Sequence, residues 1–196
     1  GTYVRNFSTV IPFLLILAKI IRDWRKSLSD QQISDSGFSY KIIRVSEIWV
    51  FLNLALALLI SIPIINIYTH GTHVTVAHAM GTTIGINSFI LLGSVYYITF
   101  RNKDQHKQKR AVMILWGLRI MHVSLMVFWF SLIAAGIIKG YFQIQTHLPF
   151  REIMDKLTPL FISFSVAGVG VFIGMLMLAF PVFMQFWAKY KMRTSG

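Results

Sequence analysis

The sequence contains no cysteine and little charge, and each of these absences excludes a class of protein. Without cysteine the chain has no disulfide, no thiolate metal site and no cysteine nucleophile. Only 13% of its 196 residues are charged and 55% are hydrophobic, whereas soluble domains usually carry about a quarter charged residues. A chain this apolar requires a lipid environment, because a larger core alone would not bury it.

Long apolar runs dominate the sequence, and they are continuous rather than alternating, which favours helices over a membrane barrel. The sequence predicts an all-α fold: a polytopic membrane bundle of about five transmembrane helices forming one membrane domain over residues 1–196. The polar segment Arg22–Tyr40 is predicted to be a flexible loop. The predicted spans cover approximately residues 7–21, 46–67, 73–100, 111–138 and 158–188.

The first apolar run, Phe7–Ile21, is shorter than a full span, with about 15 residues against the ~20 that a bilayer requires. The chain begins without Met and without the pattern of a cleavable signal peptide. We therefore expect the sequence to be the later part of a longer protein, or a separate chain that docks onto the missing helices.

The basic residues predict the orientation in the membrane. Thirteen of the 19 lie in two alternate loops and the C-terminal tail: Arg22, Arg25, Lys26, Lys41, Arg44, Arg101, Lys103, Lys107, Lys109, Arg110, Lys189, Lys191 and Arg193. The opposite side has only Arg5, Lys139, Arg151 and Lys156. The positive-inside rule places the C-terminus in the cytoplasm and the N-terminal end outside, in the periplasm of a bacterial inner membrane. The net charge of +12 thus reflects topology, and nucleic acid is not an expected partner.

Few ionisable residues fall inside the predicted spans. Lys19 and Glu47 lie near cytoplasmic helix ends, where a long side chain reaches the interface. Arg119 and His122 lie further inside the fourth span. For His122 an interhelical hydrogen bond is the favoured interpretation, and a ligand or proton-relay role is the alternative.

The third span carries three of the six histidines within nine residues, His70, His73 and His78. His78 lies inside the membrane, roughly 8 Å from the helix start at 1.5 Å per residue. Gly81 and Gly85 lie one turn apart on this span, and such small residues would leave room for a flat group against the helix.

His78 and Met80 are two residues apart, so they point about 200° apart at ~100° per residue. Imidazole and thioether are both axial ligands of haem iron, so one helix could hold a haem on each side. The alternative is that Met80 only fills space. A zinc or copper site made of His70, His73 and His78 is less favoured, because His73 and His78 diverge on a helix and no carboxylate is near.

The segment Tyr68-Thr-His-Gly-Thr followed by Val-Thr-Val-Ala-His78 resembles the tenth-helix motif of the large subunit of bacterial nitric oxide reductases, in the haem-copper oxidase superfamily. Trp116-Gly117 and a glycine-rich last helix also resemble that family. The resemblance covers nearly the whole chain, as the last five of twelve helices.

The resemblance implies a role for four residues. His78 would be the proximal ligand of the high-spin haem b3, and His70, with Thr72 nearby, would contact a haem propionate. Met80 occupies the position where the family usually has a histidine that ligates the low-spin haem b. Either this methionine ligates haem b in its place, which is the favoured interpretation, or that ligand is missing.

The resemblance further implies the rest of the machinery. The second haem b ligand and most ligands of the non-haem iron would lie on helices outside this chain. Electrons would arrive from a cytochrome c subunit or a quinol. The expected reaction is 2 NO + 2 e⁻ + 2 H⁺ → N2O + H2O, in denitrification. A haem-copper oxygen reductase and a non-catalytic membrane subunit are the alternatives.

Overall fold

The computed structural model describes residues 2–100, 108–146 and 148–194, and every regular element there is a helix. This confirms the all-helical prediction for the described part of the chain. Four helices in that part are long and apolar enough to cross a membrane: Ser36–Ser61, His73–Phe100, Arg110–Gln145 and Phe150–Thr194. The predicted span 7–21 lies within a further helix, α1 (Thr2–Ser27), which is not among those four.

The polar segment Arg22–Tyr40 is helical except at Leu28 and Ser29, so the predicted flexible loop is wrong. Helix α2 (Asp30–Ser61) begins just after Ser29, whose hydroxyl accepts a hydrogen bond from the backbone N–H of Gln32. The Gln32 side chain accepts one from the backbone N–H of Ser29 in return, at 2.9 Å. This capping box satisfies N–H groups that a helix start otherwise leaves unpaired. Gly37, at φ 49° and ψ −118°, then redirects the helix.

Helix α2 ends at Ser61, whereas the second span was predicted to continue to residue 67. The cause is Pro63, because the residue before a proline disfavours helical geometry and Ile62 is extended. Pro63 instead begins the short helix α3 (Pro63–Thr69). A second break follows at Gly71, which has a φ of +68°.

The third span is one continuous helix with a wider middle. It consists of α4 (His73–Met80), a π-helical segment (Gly81–Ser88) and α5 (Phe89–Phe100). The last two helices are longer than predicted: α6 covers Gln108–Gln145 and α7 covers Phe150–Thr194.

Close packing between the helices depends on glycines at the points of contact. A Cβ on Gly174 of α7 would lie 2.6 Å from the backbone nitrogen of Met121 on α6. Met121 is fully buried, as is Tyr96 of α5, which donates a hydrogen bond to the carbonyl of Leu178 on α7 at 2.7 Å. Helices α4 and α5 thereby join the α6–α7 pair in one bundle.

The two ends of the bundle differ in their contacts. At one end Ser39 donates a hydrogen bond to the carbonyl of Gly93 at 2.7 Å, and the Arg110 guanidinium lies over the Phe100 ring. At the other end Gln145 donates a hydrogen bond to the Tyr68 hydroxyl at 2.8 Å. Arg101, Lys103 and Lys107, which the orientation prediction uses, lie outside the described residues.

Candidate functional site

The third span presents one packed face, and His78 and Met80 lie on either side of it. The packed face consists of Val74, Ala77, Gly81 and Gly85, all of which are buried. At about 100° per residue, His78 falls on one flank of that face and Met80 on the other. Both side chains are partly buried.

His78 has a side chain available to a ligand. Its Nδ1 atom is buried and has no hydrogen-bond partner in the described part of the chain. A buried polar atom without a partner is costly, and a metal-bound histidine normally donates its second ring N–H to a partner. The histidine backbone is held in place, because Thr82 donates its hydroxyl proton to the His78 carbonyl at 3.2 Å.

The glycine face does not provide the room that the sequence analysis expected there. A Cβ on Gly81 would lie 2.4 Å from Oδ1 of Asn53, and a Cβ on Gly85 would lie 2.5 Å from the Trp49 indole. Side chains of α2 therefore fill the space in front of both glycines. A planar group beside this helix would have to lie along a flank, where His78 and Met80 are.

A polar cluster surrounds the start of the π-helical segment. Asn53 donates a hydrogen bond from Nδ2 to the Thr82 hydroxyl at 2.5 Å. Its Oδ1 atom and the Nε1 atom of Trp129 are both buried without partners among the described residues. Both lie within about 3 Å of where a Gly81 Cβ would be, so an acceptor and a donor face the same small space.

His122 makes the interhelical hydrogen bond that was the favoured interpretation of this residue. Trp49 donates its indole N–H to Nδ1 of His122 at 3.3 Å, joining α2 to α6. The two rings are nearly perpendicular, at 83°. Arg119, one turn earlier, is exposed, and its guanidinium lies over the Trp116 ring.

The remaining predicted site residues lie at the end of the span. His70 is exposed in the turn before α4, and His73 begins α4 with its ring 5.1 Å from that of Phe161 on α7. Thr72 is buried and caps α4: its hydroxyl donates to the Thr69 carbonyl at 2.7 Å and accepts from the Val74 backbone N–H at 3.3 Å. Its only proton is thus used within the chain.

The less favoured zinc or copper site finds no support in the geometry. No group of three His, Cys, Asp or Glu side chains suited to a metal ion occurs in the described part of the chain. The turn at Gly71 separates His70 from α4, and His73 packs against Phe161. His78 therefore stands apart from the other two histidines.

Two features of this region are not predicted by the sequence. The first is the set of polar and aromatic contacts around the glycines, made by Asn53, Trp49 and Trp129. The sequence contains one indication of it, because Asn53 is a lone amide within an otherwise apolar run. Glu47 was placed at an interface, but it is buried and forms an ion pair with Arg25 of α1.

The outward face of the third span is more polar than that of α7. The exposed residues on the third span include Thr75, Thr83, Asn87 and Ser94, beside the apolar Val76, Ile90, Leu91 and Ile98. On α7 the exposed face consists of large apolar side chains, namely Ile162, Val166, Val169, Phe172, Ile173, Leu176, Phe180 and Phe183. Hydroxyl and amide groups are unfavourable against hydrocarbon, so the two faces suit different neighbours.

No protein-family model matches the chain, and no curated protein sequence is significantly similar to it.

Proposed function

We propose that the chain is a haem-carrying membrane subunit of a nitric oxide reductase, in which His78 is the proximal ligand of the high-spin haem b3. The tenth-helix motif from Tyr68 to His78 suggests this function. In this proposal the chain forms the last part of a larger helical bundle. The reaction joins two NO molecules into N2O and water with two electrons and two protons.

The observation that carries the proposal is the placement of His78 and Met80 on opposite flanks of one membrane helix. Each residue type is an axial ligand of haem iron. A helix between two haems requires one ligand on each side, and the buried, unpartnered Nδ1 of His78 fits a residue that has its partner outside the chain. When bound, the haems would supply electron transfer and NO binding.

Asn87 on the outward face of the third span supports the same proposal. Its exposed amide would find no hydrogen-bond partner in lipid, whereas haem, water or the polar residues of other helices would provide one. The Thr83 hydroxyl does not need such a neighbour, because it donates to the Ala79 carbonyl at 2.7 Å. The apolar outward face of α7 suits lipid, so α7 would lie at the edge of the bundle and the third span near its centre.

Further parts of the proposal concern residues and partners outside this chain. The second ligand of haem b and most ligands of the non-haem iron would come from the remaining helices. A cytochrome c subunit or a quinol would supply the electrons. The bias of basic residues places the C-terminus in the cytoplasm and the end with His70 and His73 in the periplasm.

The haem content of the purified complex tests the proposal. The pyridine haemochrome assay should show haem b. In the absorption spectrum of the native complex, His78→Ala should remove the high-spin component, whereas the control His147→Ala should leave it intact. A complex without haem b, or an unchanged high-spin signal in His78→Ala, would reject the proposal. The rates at which the same complex consumes NO and O2 should then be compared, because a nitric oxide reductase consumes NO and the oxygen-reductase alternative consumes O2.

A further inference from the structure

An apolar cavity of about 510 Å³ lies between α2, α3, the start of α4 and α6. Leu56 and Leu59 of α2, Ile64 and Ile65 of α3, and Ile133 and Ile137 of α6 line it, and Tyr68 and Tyr141 lie at one end. The cavity lies at the junction where α2 ends before Pro63 and α3 begins. Nothing in the proposed function uses it.

The cavity has no polar partner to offer a ligand in its interior. The hydroxyl of Thr69, which lines it, donates to the Ile65 carbonyl at 3.0 Å. The Tyr68 hydroxyl lies at one end of the cavity rather than in its interior, and there it accepts a hydrogen bond from Gln145 at 2.8 Å. A ligand with carbonyl or hydroxyl groups would lose its hydrogen bonds to water without replacing them. The lining therefore fits plain hydrocarbon.

The mouth of the cavity opens sideways between membrane helices. Leu59, Ile64 and Ile137 on its rim are exposed, at 52%, 70% and 49%. In a bilayer this opening faces hydrocarbon rather than water. An empty cavity of this size would forfeit many van der Waals contacts, and water inside it would lack partners.

The polar end of the cavity shows which way such a ligand would lie. Tyr68, Gln145 and Tyr141 cluster at the end of the bundle that carries His70. Tyrosines with a polar neighbour are typical of the interface between hydrocarbon and headgroups. An acyl chain could thus fill the cavity while its headgroup stays beside these residues.

From these observations we infer that the cavity binds one acyl chain of a phospholipid from the leaflet on the His70 side. The bound lipid wedges between α2 and α6 and supports the break at Pro63. The inference does not depend on the haem assignment, because neither His78 nor Met80 lines the cavity.

A phospholipid with a photoactivatable diazirine on its acyl chain tests the inference. The complex is purified, reconstituted with this lipid and irradiated, and the labelled peptides are identified by mass spectrometry. Peptides covering 56–69 and 133–141 should be labelled well above the exposed α7 peptide 162–176. Equal labelling of the two regions would show bulk lipid only and would overturn the inference, as would an absence of label in the cavity.

A cavity-filling variant and a matched control sharpen the test. Ile137→Trp should abolish the excess labelling and the phospholipid retained in native mass spectra, with helicity and elution volume unchanged. Ile173→Trp on α7, where the isoleucine is 46% exposed, should leave both unchanged. Equal labelling in Ile137→Trp and wild type, or a retained quinone instead of a phospholipid, would contradict the inference.

Discussion

Trp49 of α2 donates its indole N–H to Nδ1 of His122 on α6, across 3.3 Å in the interior of the bundle. The same indole lies against Gly85 of the third span. One side chain of α2 thus links the third span to α6, and a polar bond holds it at membrane depth. The contact lies on the packed face of the third span, between the flanks that carry His78 and Met80.

The Trp49–His122 bond should contribute measurably to the free energy of unfolding. Hydrogen bonds between membrane helices are worth about 0.6 kcal/mol on average and up to ~1.7. A double-mutant cycle with Trp49→Phe and His122→Leu, measured by denaturation in detergent, should give a coupling energy in that range. Trp116→Phe with His122→Leu is the control, because Trp116 is 53% exposed, and it should show no coupling.

Gly140 should not tolerate a methyl group. A Cβ there would lie 1.7 Å from the carbonyl oxygen of Tyr68, and a backbone group moves only if α3 shifts. We expect Gly140→Ala to lower the free energy of unfolding by about 1–3 kcal/mol or more. Gly168→Ala is the matched control on α7, because the Cβ added there would lie 3.6 Å from the nearest atom of Phe128, which is an ordinary van der Waals distance. If both variants have the same free energy of unfolding, α3 and α6 do not approach each other closely at Gly140.

The ion pair of Arg25 and Glu47 should hold α1 against α2. Glu47 is buried and few other contacts join the two helices. Glu47→Gln should therefore increase proteolysis at the junction around Leu28 and Ser29, because Arg25 loses its charged partner. Asp23→Asn is the control: Asp23 forms only an exposed pair with Arg22, at 4.0 Å. Equal proteolysis of both variants would exclude a tethering role.

Met80 should be required for the low-spin haem if the proposed function is right. Leucine fills a similar volume but has no thioether to bind iron, so Met80→Leu should remove the low-spin spectrum and leave NO binding at the high-spin haem. Met175→Leu is the control, because Met175 is exposed on the apolar face of α7. An unchanged low-spin spectrum in Met80→Leu would show that Met80 only packs.

The sequence predicted the helical class and the helix carrying His78, because long apolar runs and helical spacing are properties of single segments. It mispredicted Arg22–Tyr40, where polar composition suggested a loop and the Ser29–Gln32 capping box forms a helix start. It also misjudged the space at Gly81 and Gly85. Small residues show that something approaches a helix closely, but only tertiary packing shows that Trp49 and Asn53 are the groups that do so.

The wider turns of the π-helical segment Gly81–Ser88 divide the third span into two halves that pack against different helices. The half with His78 packs on α6, and the half beyond Phe89 packs mainly on α2. Because a π-helix takes more residues per turn than an α-helix, the segment resets the rotational phase between the halves. Deleting one residue within it would move the second half to a new register, while the histidine half could keep its own. The segment thus isolates the geometry around His78 from changes at the opposite end of the helix.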